Sequence, residues 1–149
     1  MNMKDERQFV GYSKYRSRLV DGHVHTELCP HGSGDRTAMM IEKAIELRIE
    51  KVCLTEHAPL PKAFAVEYGG DQKAYDTASL KLNQVDTYLE LGRQLQRAYG
   101  THIDISLGFE VDYIPGFETD IQEFLDRYGP LTDDNILSVH FMEGVNNAF

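Results

Sequence analysis

Apolar positions along the chain follow two different spacings. Short segments with apolar residues at every second position, or in short runs, predict four strands, over 19–25, 51–57, 103–109 and 135–141. Between them, apolar residues recur every three or four positions and predict helices over about 35–48, 77–99 and 121–128. The predicted order is β-α-β-α-β-α-β. This alternation is typical of an α/β fold with parallel strands and helices packed outside them.

Capping residues, prolines and glycines indicate where elements begin and end along the chain. Ser33 or Asp35 is the predicted N-cap of the first helix. The connection over 58–76 is long and rich in proline and glycine, and loops of this length in a compact domain are usually functional or disordered. We expect residues 1–18 to form a peripheral N-terminal extension and residues 19–149 to form one folding unit.

Composition narrows the classes of partner. The 149 residues carry 24 acidic and 15 basic side chains, so the formal charge is −9 and a general nucleic-acid-binding role is not expected. No apolar run approaches the roughly 20 residues of a membrane helix, so no membrane partner is expected. Cys29 and Cys53 are too few for a disulfide framework, which favours a cytoplasmic location.

Residues that bind metals cluster at the predicted carboxyl ends of the strands. Because these ends lie on one side of a parallel sheet, where active sites of such folds are found, the side chains should meet. Period-2 alternation also places those of the last three strands on the small, polar face of their strand. The residues concerned are His23 and His25 in the first strand, His57 in the second, Glu110 in the third and His140 in the fourth.

Two imidazoles and a carboxylate form a ligand set that suits Zn²⁺, Fe²⁺ or Mn²⁺. A carboxylate such as Glu110 can also bridge two metals, and phosphate-ester hydrolysis favours sites with several metals. Each residue alone is more often structural, so the prediction depends on their combination. Glu56 faces away from His57, which favours a supporting role over ligation, and Asp112 either orients a ligating imidazole or belongs to a turn.

Four segments together resemble the PHP (polymerase and histidinol phosphatase) domain family, and more closely its histidinol-phosphate phosphatase branch. They are DGHVHTELCPHGSGD over 21–35, LTEHAPLP over 54–61, GFEVDYI over 108–114 and ILSVHF over 136–141. The resemblance implies a distorted (β/α)7 TIM-like barrel with a centre of up to three divalent metals, Zn, Mn or Fe, at the strand ends. It also implies hydrolysis of L-histidinol phosphate to L-histidinol and phosphate in histidine biosynthesis.

The resemblance also implies a role for each matching residue. His23 and His25 would hold one metal with Glu110, which would bridge to a second metal bound by His140. His31 and His57 would serve a third metal. His23, His25 and Glu110 would act in catalysis through a metal-bound hydroxide that attacks phosphorus, and the substrate would be a small phosphorylated molecule.

The length limits this interpretation. A complete (β/α)8 barrel needs about 250 residues, and members of the family continue through three more strands with further metal and phosphate ligands. We therefore expect about four βα units, the N-terminal part of such a domain, weak or inactive alone. Self-association or a missing C-terminal part would complete it. An amidohydrolase-type metal hydrolase and a non-catalytic metal-binding or assembly fragment are the alternatives.

Overall fold

A computed structural model describes residues 18–64 and 72–141. Its four strands form one sheet in the order β1-β2-β3-β4, and every neighbouring pair is parallel. This confirms the predicted α/β architecture with sequential parallel strands. The extension predicted over 1–18 lies outside the described residues, except for Arg18. None of the helices in the described part of the chain has the length and apolarity needed to cross a membrane.

The strands follow the predicted order, but the described part of the chain has four α-helices rather than the predicted three, and one of them begins within the connection predicted over 58–76. The strands are β1 (Val20–Val24), β2 (Lys51–His57), β3 (Asp104–Asp112) and β4 (Ile136–Ser138). The α-helices are α1 (Thr37–Glu46), α2 (Gln72–Ala78), α3 (Val85–Tyr99) and α4 (Glu118–Tyr128). Short 3-10 turns span Leu82–Gln84 and Gly129–Leu131.

The single helix predicted over 77–99 is wrong in its first part, because two helices with a break between them occupy this region. At the break, the Ser79 hydroxyl accepts a hydrogen bond from the Leu60 N–H at 3.2 Å, and the Leu80 N–H donates to the His57 carbonyl at 3.3 Å. These bonds tie the segment to the connection that follows β2. The helix therefore begins again only at Val85.

The predicted cap of α1 is also wrong. Ser33 and Asp35 bond to each other, since the Ser33 hydroxyl donates to Asp35 at 2.9 Å, and neither reaches the helix. The Glu27 carboxylate instead accepts the Thr37 N–H at 2.8 Å and also bonds the Thr37 hydroxyl. An acceptor from the loop before the helix thus satisfies its first free amide.

The core lies between the sheet and its helices. Alternate residues of β3, Ile105, Leu107 and Phe109, are buried and share one hydrophobic cluster with Tyr88 of α3 and Tyr128 of α4. Their period of two leaves Ser106, Gly108 and Glu110 on the opposite face of β3. The bulky face of β3 therefore packs against the helices, and its small, polar face is available for the candidate functional site.

A turn over 133–135 runs beside β3, in close contact with Gly108. A Cβ atom at Gly108 would lie 1.5 Å from the Asp134 carbonyl oxygen, so the contact requires glycine. Asp133 and Asn135 anchor the turn through side-chain oxygens that accept the N–H groups of Leu107 and Phe109, both at 2.9 Å. The turn leads directly into β4 and so sets the position of that strand.

Candidate metal centre

Four imidazoles surround the carboxylate of Glu110 at the carboxyl end of the sheet. Oε2 of Glu110 lies 3.3 Å from His23 Nε2, 3.4 Å from His25 Nε2 and 3.2 Å from His57 Nδ1. The other oxygen, Oε1, lies 3.4 Å from His140 Nε2. The structure therefore brings together five of the six residues predicted as metal ligands, with the carboxylate at their centre.

The spacing of the first three ligand atoms matches a divalent cation site. His23 Nε2 and His25 Nε2 are 3.1 Å apart, and both lie 3.3–3.4 Å from Glu110 Oε2. At a tetrahedral zinc with ligands at 2.0–2.1 Å, neighbouring ligand atoms are about 3.3 Å apart. The three atoms thus form a triangle of the size that one face of such a tetrahedron requires.

Most of the imidazoles are held by their Nδ1 atoms, which leaves Nε2 for the centre. Nδ1 of His23 contacts the Thr55 hydroxyl at 3.1 Å, and Nδ1 of His140 contacts Asp112 at 2.7 Å. Nδ1 of His25 contacts Glu56 at 3.0 Å. Partners of this kind fix the orientation and the tautomer of metal-binding histidines.

His57 is the exception, because it turns Nδ1 toward Glu110. Burial lowers the pKa of His57 to about 4; the Glu110 carboxylate opposes this shift, while the neighbouring His25 and other imidazoles add to it. The ring is therefore neutral at physiological pH and keeps a lone pair. A neutral imidazole is the form that binds a metal.

Two buried polar atoms in the centre provide a test of whether a cation fits. His57 Nδ1 and Glu110 Oε2 find no hydrogen-bond partner among the residues that the structure describes. Burial raises the pKa of Glu110, but a hydrogen bond from Ser138 and the nearby imidazoles outweigh it and leave the pKa below its ordinary value. A buried carboxylate facing several imidazole nitrogens is what a divalent cation would satisfy.

His31 and His102 occupy different places. His31 lies in the loop after β1, where its Nδ1 is 2.8 Å from the Thr77 carbonyl and its ring centre is 5.1 Å from that of His57. The sixth predicted ligand therefore lies at the edge of the centre. His102 precedes β3, at the opposite end of the sheet.

Asp112 lies closer to the centre than the sequence indicated. It lies on β3 two residues after Glu110 and therefore on the same face, and it could share a cation with His57 and His140 as well as orient His140. Side-chain alternation could have found it. No signal in the sequence identified Thr55 or the Thr77 carbonyl as partners of histidines.

Sequence comparison finds similarity to a protein family and to a curated histidinol-phosphatase. The PHP domain family matches residues 21–149. A curated histidinol-phosphatase of Bacillus subtilis (strain 168) is 41% identical over 122 residues, which are 82% of this chain and 44% of the relative. The chain thus spans less than half the length of this relative.

Solved structures agree with the sequence comparison. A Listeria monocytogenes protein, provisionally described as a histidinol phosphatase, superposes with a TM-score of 0.81 at 43% identity, over 84% of this chain and 46% of that chain. The histidinol phosphate phosphatase of Lactococcus lactis, in complex with zinc, L-histidinol and phosphate, shares the fold with a TM-score of 0.63 at 24% identity, over 84% and 41%. The three βα units and the fourth strand are accordingly part of a TIM-like barrel, and the chain belongs to the PHP domain family.

Proposed function

We propose that this chain carries the N-terminal metal-binding half of a phosphomonoesterase that hydrolyses L-histidinol phosphate to L-histidinol and phosphate. The observation that carries the proposal is Glu110 Oε2, which is buried without a hydrogen bond in the described structure and lies within 3.4 Å of three imidazole nitrogens. The names of the relatives support the substrate. Family membership favours this function over an amidohydrolase.

The proposed centre holds up to three divalent cations of Zn, Mn or Fe, with His23, His25, His31, His57, Glu110 and His140 as ligands. When bound, such cations activate water and neutralise charge on phosphoryl oxygens. The chain's own part is to keep His57 neutral and, through the partners of their Nδ1 atoms, to direct Nε2 of His23, His25 and His140 inward. Glu110, with one oxygen toward His23 and His25 and the other toward His140, has the geometry of a bridging ligand.

The edges of the sheet support the proposal that further chain completes the barrel. Within residues 18–64 and 72–141, β1 and β4 are the outer strands, and large apolar residues in or beside them are exposed: Leu19 and Val20 at one edge, Leu137 and Val139 at the other. Open edges of this kind invite pairing with another strand. We propose that a second copy of the chain or a C-terminal part covers these edges.

We also propose that the enzyme acts in the cytoplasm.

Metal content and hydrolysis test the proposal. We expect the purified chain to bind up to three equivalents of Zn²⁺ or Mn²⁺, measured by elemental analysis after dialysis. Turnover of L-histidinol phosphate, followed as phosphate release, should be weak for the chain alone. His140→Gln should reduce metal content, whereas His102→Gln, which changes a histidine at the opposite end of the sheet, should not.

Two outcomes would contradict the proposal. A folded chain that binds no metal would refute the centre itself. Stoichiometric metal binding without turnover, even after the chain is supplied with the C-terminal half of a histidinol-phosphatase relative, would favour the non-catalytic metal-binding fragment.

A further inference from the structure

Glu56 lies outside the ring of imidazoles around Glu110 yet contacts one of its members. It is fully buried near the end of β2, and its Oε1 lies 3.0 Å from His25 Nδ1. The other nitrogen of the same ring, Nε2, lies 3.4 Å from Glu110 Oε2. The imidazole of His25 thus stands between two carboxylates, one on each nitrogen.

The acceptor capacity of Glu56 is already filled by protein donors. Oε2 accepts the Thr26 N–H at 2.9 Å and the Thr26 hydroxyl at 2.7 Å. Oε1 faces His25 Nδ1 and also accepts the His57 N–H at 3.3 Å. A carboxylate offers about four lone-pair sites, so these four contacts leave none for a cation. Glu56 is therefore better suited to orient a metal-binding histidine than to bind a metal itself. The side chains of His25, Cys29 and Glu56 nevertheless lie close enough together to form a candidate metal site.

The donors around Glu56 decide which way the hydrogen bond to His25 runs. Both carboxylate oxygens accept a backbone N–H, Oε2 that of Thr26 and Oε1 that of His57, so both act as acceptors, as in an ionised carboxylate. An ionised carboxylate only accepts hydrogen bonds. The hydrogen between the two groups must therefore be on His25 Nδ1.

We infer that Glu56 is a positioning residue that keeps the proton of His25 on Nδ1, so that the Nε2 lone pair is directed at the cation shared with Glu110. The cation itself rests on the function proposed above, whereas the tautomer is a property of the chain. Through Thr26, the same carboxylate ties the loop after β1 to β2. Loss of such a partner typically costs about 10- to 100-fold in metal affinity.

Glu56→Gln tests the inference, with Glu27→Gln as the matched control. The N–H groups of Thr26 and His57 can both only donate, but the Thr26 bond is shorter, 2.9 Å against 3.3 Å. The amide oxygen of the variant should therefore face Thr26, and its NH2 group should face His25. His25 Nδ1 must then accept, and the proton moves to Nε2. Glu27 belongs to the same loop, and its carboxylate bonds Thr37, so its variant removes a half-buried loop carboxylate without touching an imidazole.

The measurement is a ¹⁵N–¹H correlation of the imidazoles in ¹⁵N-labelled, metal-free protein at alkaline pH, where the rings are neutral. We expect His25 to be protonated on Nδ1 in the wild type and in Glu27→Gln, and on Nε2 in Glu56→Gln. A competition titration with Zn²⁺ should show about 10- to 100-fold weaker binding for Glu56→Gln only.

A wild-type His25 protonated on Nε2 would overturn the inference, and so would a Glu56→Gln protein with unchanged tautomer and zinc affinity. If Glu56→Gln does not fold, the wild-type spectrum still decides. A wild type that has the Nδ1 proton but binds no zinc would count against the proposed function and support the orientation of His25 by Glu56.

Discussion

Substituting Gly108 by alanine should separate β3 from the turn that leads into β4. The new Cβ would lie 1.5 Å from the Asp134 carbonyl oxygen, whereas Cβ atoms in proteins essentially never approach closer than 3.0 Å. The turn must therefore retreat by about 1.5 Å, the difference between these two distances. The obstacle is backbone rather than the end of a flexible side chain, so no rotamer change can relieve it.

The cost follows from the hydrogen bonds that anchor the turn. Asp133 accepts the Leu107 N–H at 2.9 Å and donates its own N–H to the Leu107 carbonyl at 2.7 Å. Asn135 accepts the Phe109 N–H at 2.9 Å. A retreat of about 1.5 Å breaks all three, each worth about 1 kcal/mol, and leaves partly buried N–H groups unsatisfied. We expect a loss of about 3–5 kcal/mol in the free energy of unfolding.

Urea unfolding measures this loss. Far-ultraviolet circular dichroism is the suitable signal, because the chain contains no tryptophan whose fluorescence could report unfolding. Gly129→Ala is the control: a Cβ there meets nothing within 4 Å, and the backbone φ of −55° suits alanine. It should remain within about 0.5 kcal/mol of the wild type. A Gly108→Ala protein whose free energy of unfolding is within about 1 kcal/mol of the wild type would refute the reasoning, because the loss of three hydrogen bonds should cost more than this.

Two further predictions concern the centre and the loop beside it. Glu110→Ala should lose more bound metal than His31→Ala in elemental analysis, because Glu110 contacts four imidazoles and His31 lies at the edge; equal losses would contradict the bridging role. Burial opposes ionisation of Glu27, but hydrogen bonds from Thr37 leave its pKa below 4.5. Its contribution to stability is therefore present above pH 4.5 and lost as the pH falls through the lowered pKa. The difference in unfolding free energy between the wild type and Glu27→Gln should shrink across that range, and a constant difference would show that the cap is not ionic.

The strands and their faces could be predicted because alternation with a period of two indicates both that a segment is a strand and on which face each side chain lies. β2 spans the predicted residues 51–57, and its parity placed His57 and Glu56 on opposite sides. The convergence of His23, His25, Glu110 and His140 followed from the parallel order alone. The roles carried over from the family agree with this convergence, but individual metal assignments stay predictions.

Long-range contacts explain what the sequence did not reveal. No proline or glycine occurs over 77–85 to mark a boundary, yet the helix breaks there because Ser79 and Leu80 bond to β2 and to the segment after it. The cap of α1 comes from Glu27, ten residues before the residue it bonds. The partners of the imidazoles likewise come from other elements, such as Thr55 for His23. Patterns within a short stretch of sequence cannot predict contacts between residues that are distant along the chain.

The ligands of the first proposed cation come from strands that are not neighbours. His23 and His25 belong to the end of β1 and Glu110 to β3, with β2 between them. Alternate strands of a sheet lie about 9.5 Å apart, yet these ligand atoms are 3.3–3.4 Å apart. A bound cation would therefore join the ends of β1 and β3 across β2. Affinity for metal and the separation of these two strand ends would then be linked quantities, so a change that moves either strand end would also change the affinity for metal.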